Sequence, residues 1–386
     1  MNSETYRKQR EYVIRMRREF HENPETSWNE TRTQKRIIEE LEGIGLHCEK
    51  CAGTGVVATI KGEKPGRTVA LRADIDALEI GEASDVEYRS KKQGLMHACG
   101  HDGHAAMLLG AARALVESRD ELKGNVRLLF QPAEETLRGA KKMIEDGALD
   151  GVDAIMGQHL WNNIPAGKVN VESGPRMASG DPVIIDFYGK GGHGSLPNET
   201  VDPVVMASSF IMNSNAMLSR EKYPMEPMVL TFGEVKCGTR FNIIPDEAHL
   251  EGSLRCFSQE SRESAWNRIR EYAECTASMF GGRAEVNIPK GTPATINDEV
   301  IAMEARKVAE KVAGSDNIMN LEKTTGSEDM AYYLDEIPGA MVFVGSGFED
   351  RETFPHHHPR FDINEDALEI GTGMYYHFAI DYLNSN

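Results

Sequence analysis

Hydrophobic and polar positions alternate between two periods along the first 180 residues. In "NETRTQKRIIEELEGIG" apolar residues recur at helical spacing, and Gly43 and Gly45 are suited to ending the helix. The runs "GVVATI" and "TVALRADIDAL" are short and rich in Val, Ile and Ala, as buried strands are. "AAMLLGAARALVESRDEL" predicts an amphipathic helix, and "GNVRLLFQPAEE" a buried strand running into a polar end. "VDAIMGQHLW" repeats that design, with a histidine just beyond its apolar part. Such alternation predicts an α/β sheet, in which ligands sit outside the carboxyl ends of strands. Asp74, Asp76, Glu134, Glu135 and His159 all fall at such ends.

Near residue 180 the texture changes. "DPVIIDFYGKGGHGS", "MVLTFGEVKCG" and "DEAHLEGSLRCF" have period-two character, interleaved with two helical stretches and followed by "AEVNIP". The order strand–helix–strand–strand–helix–strand fits a small α+β domain of split-βαβ, ferredoxin-like type. After about residue 292, "DEVIAMEARKVAEKV" and "GAMVFVGSG" resume the first style. The second domain, 181–292, is therefore expected as an insertion into a discontinuous one built from 1–180 and 293–386.

Composition narrows the partners. The chain has 386 residues, of which 40% are hydrophobic, and a formal charge of −18. Nucleic acid and anionic membrane need a basic face, so neither is expected as the main partner. No apolar run approaches the roughly 18 residues of a membrane span, and the polar start reads as no signal peptide. A cytoplasmic protein with free thiols is the expectation for its six cysteines. Cys48 and Cys51 form a C-x-x-C without a second such pair, and a structural role is expected for them.

The stretch "HACGHDGH", residues 97–104, concentrates metal-capable side chains. With Cys99 and His101 from this stretch, Glu135, His159 and one of His356, His357 and His358 make five candidate donors. That exceeds the four of a structural zinc site and suits two hydrolytic metals about 3.5–4 Å apart. Mixed donors suit zinc, and the N/O majority also accepts manganese or cobalt. In "QPAEET" one glutamate can bind metal while the other acts as general base, and spacing does not say which. A nucleophilic Cys99 with a histidine base is the rival reading. In the second domain, His193 lies in a glycine-rich turn, Asn242 is a possible donor to a carbonyl, and Arg255 ends a strand where it could grip a carboxylate.

Taken together, these segments resemble the metal-dependent N-acyl-amino-acid amidohydrolases. That family includes hippurate hydrolases, auxin-conjugate hydrolases and N-acetyldiaminopimelate deacetylases, within the aminoacylase and carboxypeptidase superfamily. The resemblance runs from "RREFHENPETSWNE" through "LRADIDALEI", "LLFQPAEE", "GKGGHGSLPNETVDP" and "GSEDMAYYL" to "HHPRFDINEDAL". It implies a zinc-peptidase-like α/β catalytic domain interrupted by a lid and dimerisation domain. It implies two divalent metals on Cys99, His101, Glu135, His159 and, two residues before the proline of an H-x-P pattern, His357. Glu134 would be the general base, and Asp76 would orient a ligand. His193 and Asn242 would polarise the scissile carbonyl, and Arg255 is the candidate for the substrate carboxylate. The implied reaction is hydrolysis of N-acyl amino acids by a homodimer or higher oligomer, with cleavage of unblocked dipeptides as the alternative. The chain departs from many relatives after "PAEE", carrying Thr136, Leu137 and Arg138 instead of a glycine-rich stretch.

Overall fold

The strand-forming runs pair into a seven-stranded sheet in the computed structural model, which describes residues 4–385. Its order is Cys48–Cys51, Gly55–Lys61, Lys123–Gln131, Lys64–Asp74, Ala154–Pro165, Gly339–Gly347 and Val169–Asn170. The four strands from Lys123–Gln131 to Gly339–Gly347 are mutually parallel, and each flanking strand pairs antiparallel with its neighbour. Parallel register puts chemistry in a row: Asp74 pairs with Gln131, Arg72 with Gly157, and His159 with Phe343. Asp74 and His159 thus reach the same level, and Glu134 follows three residues after Gln131.

Local chemistry explains where elements stop. The helix Thr31–Gly43 buries Ile37 and Leu41 and ends at Gly45, whose φ is +82°. There Gly45 N donates to Glu42 O (2.9 Å) and Leu46 N to Leu41 O (3.0 Å), a Schellman closure for which glycine is the favoured residue. The helix His101–Glu117 differs from expectation. It is buried almost all round, because it packs against the sheet and against the helices Arg10–His21 and Asp366–Asn384. A helix enclosed on every side selects an alanine-rich surface instead of a polar stripe.

The chain divides into two units. The first comprises Met1–Gly174, Ile296–Glu322 and Asp329–Asn386; the second comprises Pro175–Thr295 with Lys323–Glu328. The second unit thus begins before residue 181 and gains a short return segment that strand and helix patterns do not mark. Its four-stranded antiparallel sheet has the order Val229–Cys237, Glu247–Arg255, Asp181–Tyr188, Arg283–Asn287. The helices Pro203–Arg220 and Gln259–Met279 pack on it, giving a core of Val183, Ile185, Phe187, Phe210, Leu250 and Ile269. Among the described residues no helix is long and apolar enough to cross a membrane.

Candidate metal centre

The centre starts from a backbone feature. Gly100 takes φ +90° and leads into His101, the first residue of its helix. His101 Nδ1 lies 3.0 Å from the carbonyl of Asp76 and 3.3 Å from its Oδ1. With Nδ1 donating to Asp76, Nε2 presents its lone pair, and that buried atom makes no hydrogen bond. Asp76 also accepts from the backbone N–H of Glu134 and of Glu135, both at 3.1 Å, and from Ser27 Oγ at 2.7 Å. One carboxylate therefore positions both a histidine and the adjacent glutamates, as partners behind metal ligands do.

His159 is set by the same logic. Its Nδ1 lies 2.6 Å from Leu160 O, which directs Nε2 to within 3.5 Å of Cys99 Sγ. Of the three consecutive histidines, His357 turns its Nε2 to 3.5 Å from Glu135 Oε1. His356 is tied instead to Leu160 O, and His358 stacks on Phe354 and accepts from Arg360 N. Two groups of donor atoms, each spanning no more than 4.8 Å, overlap at Cys99: Cys99, His101 and His159, and Cys99, Glu135 and His357. His101, Glu134 and Glu135 form a third such group.

Electrostatics fit a cation. The neighbouring Cys99 and Glu135 raise the His357 pKa to about 10. Burial opposes charge on His101, yet Asp74, Cys99 and Asp76 outweigh it and hold its pKa well above the usual value. Burial and then Glu135 raise the Cys99 thiol. The two histidine shifts express an excess of acidic donors, which divalent ions satisfy while leaving the imidazoles neutral. The buried Nε2 of His101 and Oε1 of Glu135, both without a hydrogen bond, point to the same conclusion.

Backbone strain gathers at this place. Non-glycine residues with positive φ include Ala133 (54°) and Leu137 (55°), which bracket the short turn Glu134–Thr136, and His357 (63°). Trp28 (67°) follows Ser27, the residue bonded to Asp76. Such conformations cost about 1–3 kcal/mol each and persist where the surroundings enforce them.

Several residues essential to this arrangement escape a reading by motif. His104 Nδ1 contacts Asp74 Oδ1 at 2.5 Å while its Nε2 accepts from Leu160 N, so both ring nitrogens serve the framework. Arg72, inside an apolar strand, binds Asp74, Gln131 and Asp329 at 2.7–2.9 Å. Asp329 N in turn approaches Glu134 Oε1 at 3.4 Å. A charged residue within a strand of otherwise apolar character is the signal that could have marked Arg72.

In the second unit, Gly192–His193 pairs with Ile243–Ile244, and Gly194 N donates to Asn242 O at 3.0 Å, so His193 and Asn242 are neighbours. Ser195 N donates to His193 Nδ1 (3.1 Å), which leaves the proton of a neutral ring on exposed Nε2, available for donation. Arg255 donates to Ser327 Oγ at 2.5 Å. Another His–carboxylate group, Glu234, His249 and Glu251, lies on this unit's sheet. There Asp186 and Glu251 engage both ring nitrogens and Lys236 pairs with Glu234, so each member of the group already has a partner. Cys48 and Cys51 are free and three residues apart on one strand, which turns them to opposite faces.

Residues 70–381 match the model of peptidase family M20/M25/M40, and the chain belongs to that family. It is a metal-dependent amidohydrolase. Thermostable carboxypeptidase 2 of Saccharolobus solfataricus is 39% identical over 380 residues, covering 97% of this chain and 96% of its own. N-acetyl-L-cysteine deacetylase of Bacillus subtilis is 41% identical over 388 residues, covering 100% of this chain and 91% of its own. The crystal structure of the Bacillus subtilis YXEP protein, a dinuclear metal binding peptidase from the M20 family, is similar with a TM-score of 0.89 and 36% identity, over 98% of this chain and 99% of that one.

Proposed function

We propose that this protein hydrolyses the amide bond of N-acyl amino acids, using two divalent ions held by Cys99, His101, Glu135, His159 and His357. The observation that carries the reading is the overlap of two donor groups at Cys99, beside a glutamate pair whose backbone Asp76 fixes. Mixed sulfur, nitrogen and oxygen donors favour Zn2+, with Mn2+ or Co2+ as substitutes. Bound there, the ions would polarise the amide carbonyl and lower the pKa of water toward about 7. Glu134 is the general base: it takes a proton from the attacking water and returns it to the departing amine nitrogen. Its neighbour Glu135 supplies a donor atom, so the two adjacent carboxylates have different work.

For the second unit, His193 accepts from Ser195 N at Nδ1, so its Nε2–H suits donation to a carbonyl oxygen, and Asn242 beside it supplies a further polar group. Arg255 is assigned to the substrate carboxylate, and this unit to lid and dimer contacts. The free cysteines support a reducing, cytoplasmic setting.

The test is amine release from N-acetyl, N-benzoyl and longer N-acyl amino acids and from unblocked dipeptides, with metal-loaded protein. Glu134→Gln should reduce turnover of blocked substrates at least a thousandfold. Turnover of dipeptides alone would replace this reading with a dipeptidase, and an unaffected Glu134→Gln variant would remove the base assignment.

A further inference from the structure

The seven residues from Ala133 to Gly139 form a loop closed on itself. Gly139 N donates to Ala133 O at 3.3 Å, and a Cβ on Gly139 would fall 1.6 Å from Pro132 O. Positive φ at Ala133 and Leu137 supplies the two bends. Whatever this loop carries is therefore confined to one neighbourhood, and it carries Glu134, Glu135 and Arg138.

Arg138 is exposed, and among the described residues its side chain has no ion pair, hydrogen bond or ring partner. The chain holds 61 acidic residues against 43 basic ones, so carboxylate partners are plentiful. Partnering follows burial: Arg17, Arg72 and Arg262 are buried and each bound to carboxylates, while exposed Arg220 and Arg240, like Arg138, have no such partner among the described residues. What sets Arg138 apart is its place, three and four positions after Glu135 and Glu134 on this closed loop, with its donor fork unused. A guanidinium is built to hold a carboxylate through two parallel hydrogen bonds, and one left free beside a reaction centre suits an anionic group arriving with the substrate.

Resting on the hydrolysis proposed above, we propose that Arg138 is a specificity-determining residue that binds a second substrate carboxylate. The enzyme then prefers N-acyl amino acids carrying a carboxylate in addition to the α-carboxylate. That second group can belong to the amino-acid side chain or to the acyl chain, and both offer the same chemistry to the fork.

The experiment compares kcat/KM for two matched pairs: N-acetyl-L-glutamate with N-acetyl-L-glutamine, and N-succinyl-L-leucine with N-acetyl-L-leucine. Wild-type protein, Arg138→Gln and Arg138→Lys are each metal-loaded. The expected result is a loss of about tenfold or more in Arg138→Gln for the dicarboxylate of at least one pair, mainly in KM, with its neutral partner unchanged. Tenfold corresponds to about 1.4 kcal/mol. Arg138→Lys should recover part of the loss. The pair that responds identifies which end of the substrate meets Arg138. Equal effects on charged and neutral substrates, or no effect on either, would overturn the inference while leaving the hydrolysis intact. If wild-type protein cleaves other N-acyl amino acids but none of the four, the preference for a second carboxylate is overturned alone. If it cleaves no N-acyl amino acid, the proposed reaction fails and this inference fails with it.

Discussion

Arg17 and Asp102 are both fully buried, with the guanidinium Nε 2.8 Å from the carboxylate Oδ2. The same guanidinium reaches Asp362 at 3.0 Å and Glu365 at 3.4 Å. Asp102 follows His101, and Asp362 lies five residues beyond His357. A single side chain on the helix Arg10–His21 thus ties together two segments that bring donors from distant parts of the chain. His21, one turn further on, adds a contact to Asp102 at 2.8 Å.

Removing one member of such a buried group leaves charges without a partner, which typically costs about 3–5 kcal/mol. Arg17→Met should lower the free energy of unfolding by about that amount in urea titrations. It should also reduce the metal bound per folded chain. Arg17→Lys keeps the charge without the planar fork and should restore only part of either property. Full metal content in folded Arg17→Met would mean that the clamp serves stability alone.

Asp76 makes a separable prediction. Because it holds His101 and the backbone of both glutamates, Asp76→Asn should weaken metal binding by about 10–100-fold, as loss of a residue behind metal ligands does. Competition with a chromogenic chelator would measure this. An unchanged affinity would show that the backbone carbonyl of Asp76 suffices to orient His101.

Metal removal should destabilise the fold as well as stop turnover. A ligand present at about 100 times its Kd adds about 2.7 kcal/mol to the native state. Chelation should therefore lower the melting temperature, and Zn2+ should restore it. Chelator-resistant turnover would revive the nucleophilic reading of Cys99.

Acid should weaken the protein at a site remote from the metals. His377 is 2% exposed, lies edge-on to Tyr6 and Tyr376, and its Nδ1 makes no hydrogen bond. Burial, reinforced by Lys311, pushes its pKa down to about 4. The unfolded imidazole, near 6.5, binds a proton that the folded one refuses. This contribution is fully present above about pH 6.5 and is lost as the pH falls toward 4. Its slope approaches about 1.4 kcal/mol per pH unit, for a total of at most about 3 kcal/mol. His377→Phe should flatten that part of the stability profile measured by urea unfolding between pH 4 and 6.5. A profile identical to the wild type would assign the acid sensitivity elsewhere.

The sequence by itself determined the donor chemistry and the strand ends that carry it. Asp74, Asp76, Glu134 and His159 could be placed there because a buried parallel strand is a short apolar run, and polarity returns where it leaves the core. The split-βαβ order of the second unit was legible for a similar reason, since period two and helical spacing are local properties. Local pattern failed for the helix His101–Glu117, whose surroundings on every side come from elements distant in the chain.

Tertiary structure alone decided which side chains meet. His356, His357 and His358 are chemically alike, and only the turn with φ +63° at His357 aims one of them at Glu135. His104 is as capable a donor as His101, but strand register places Asp74 and Leu160 on its two nitrogens. Arg17 and Asp362 lie 345 positions apart, and no local pattern links them. Composition and periodicity specify what a segment can form, whereas ion pairs and ligand geometry depend on register between segments, which the assembled core fixes.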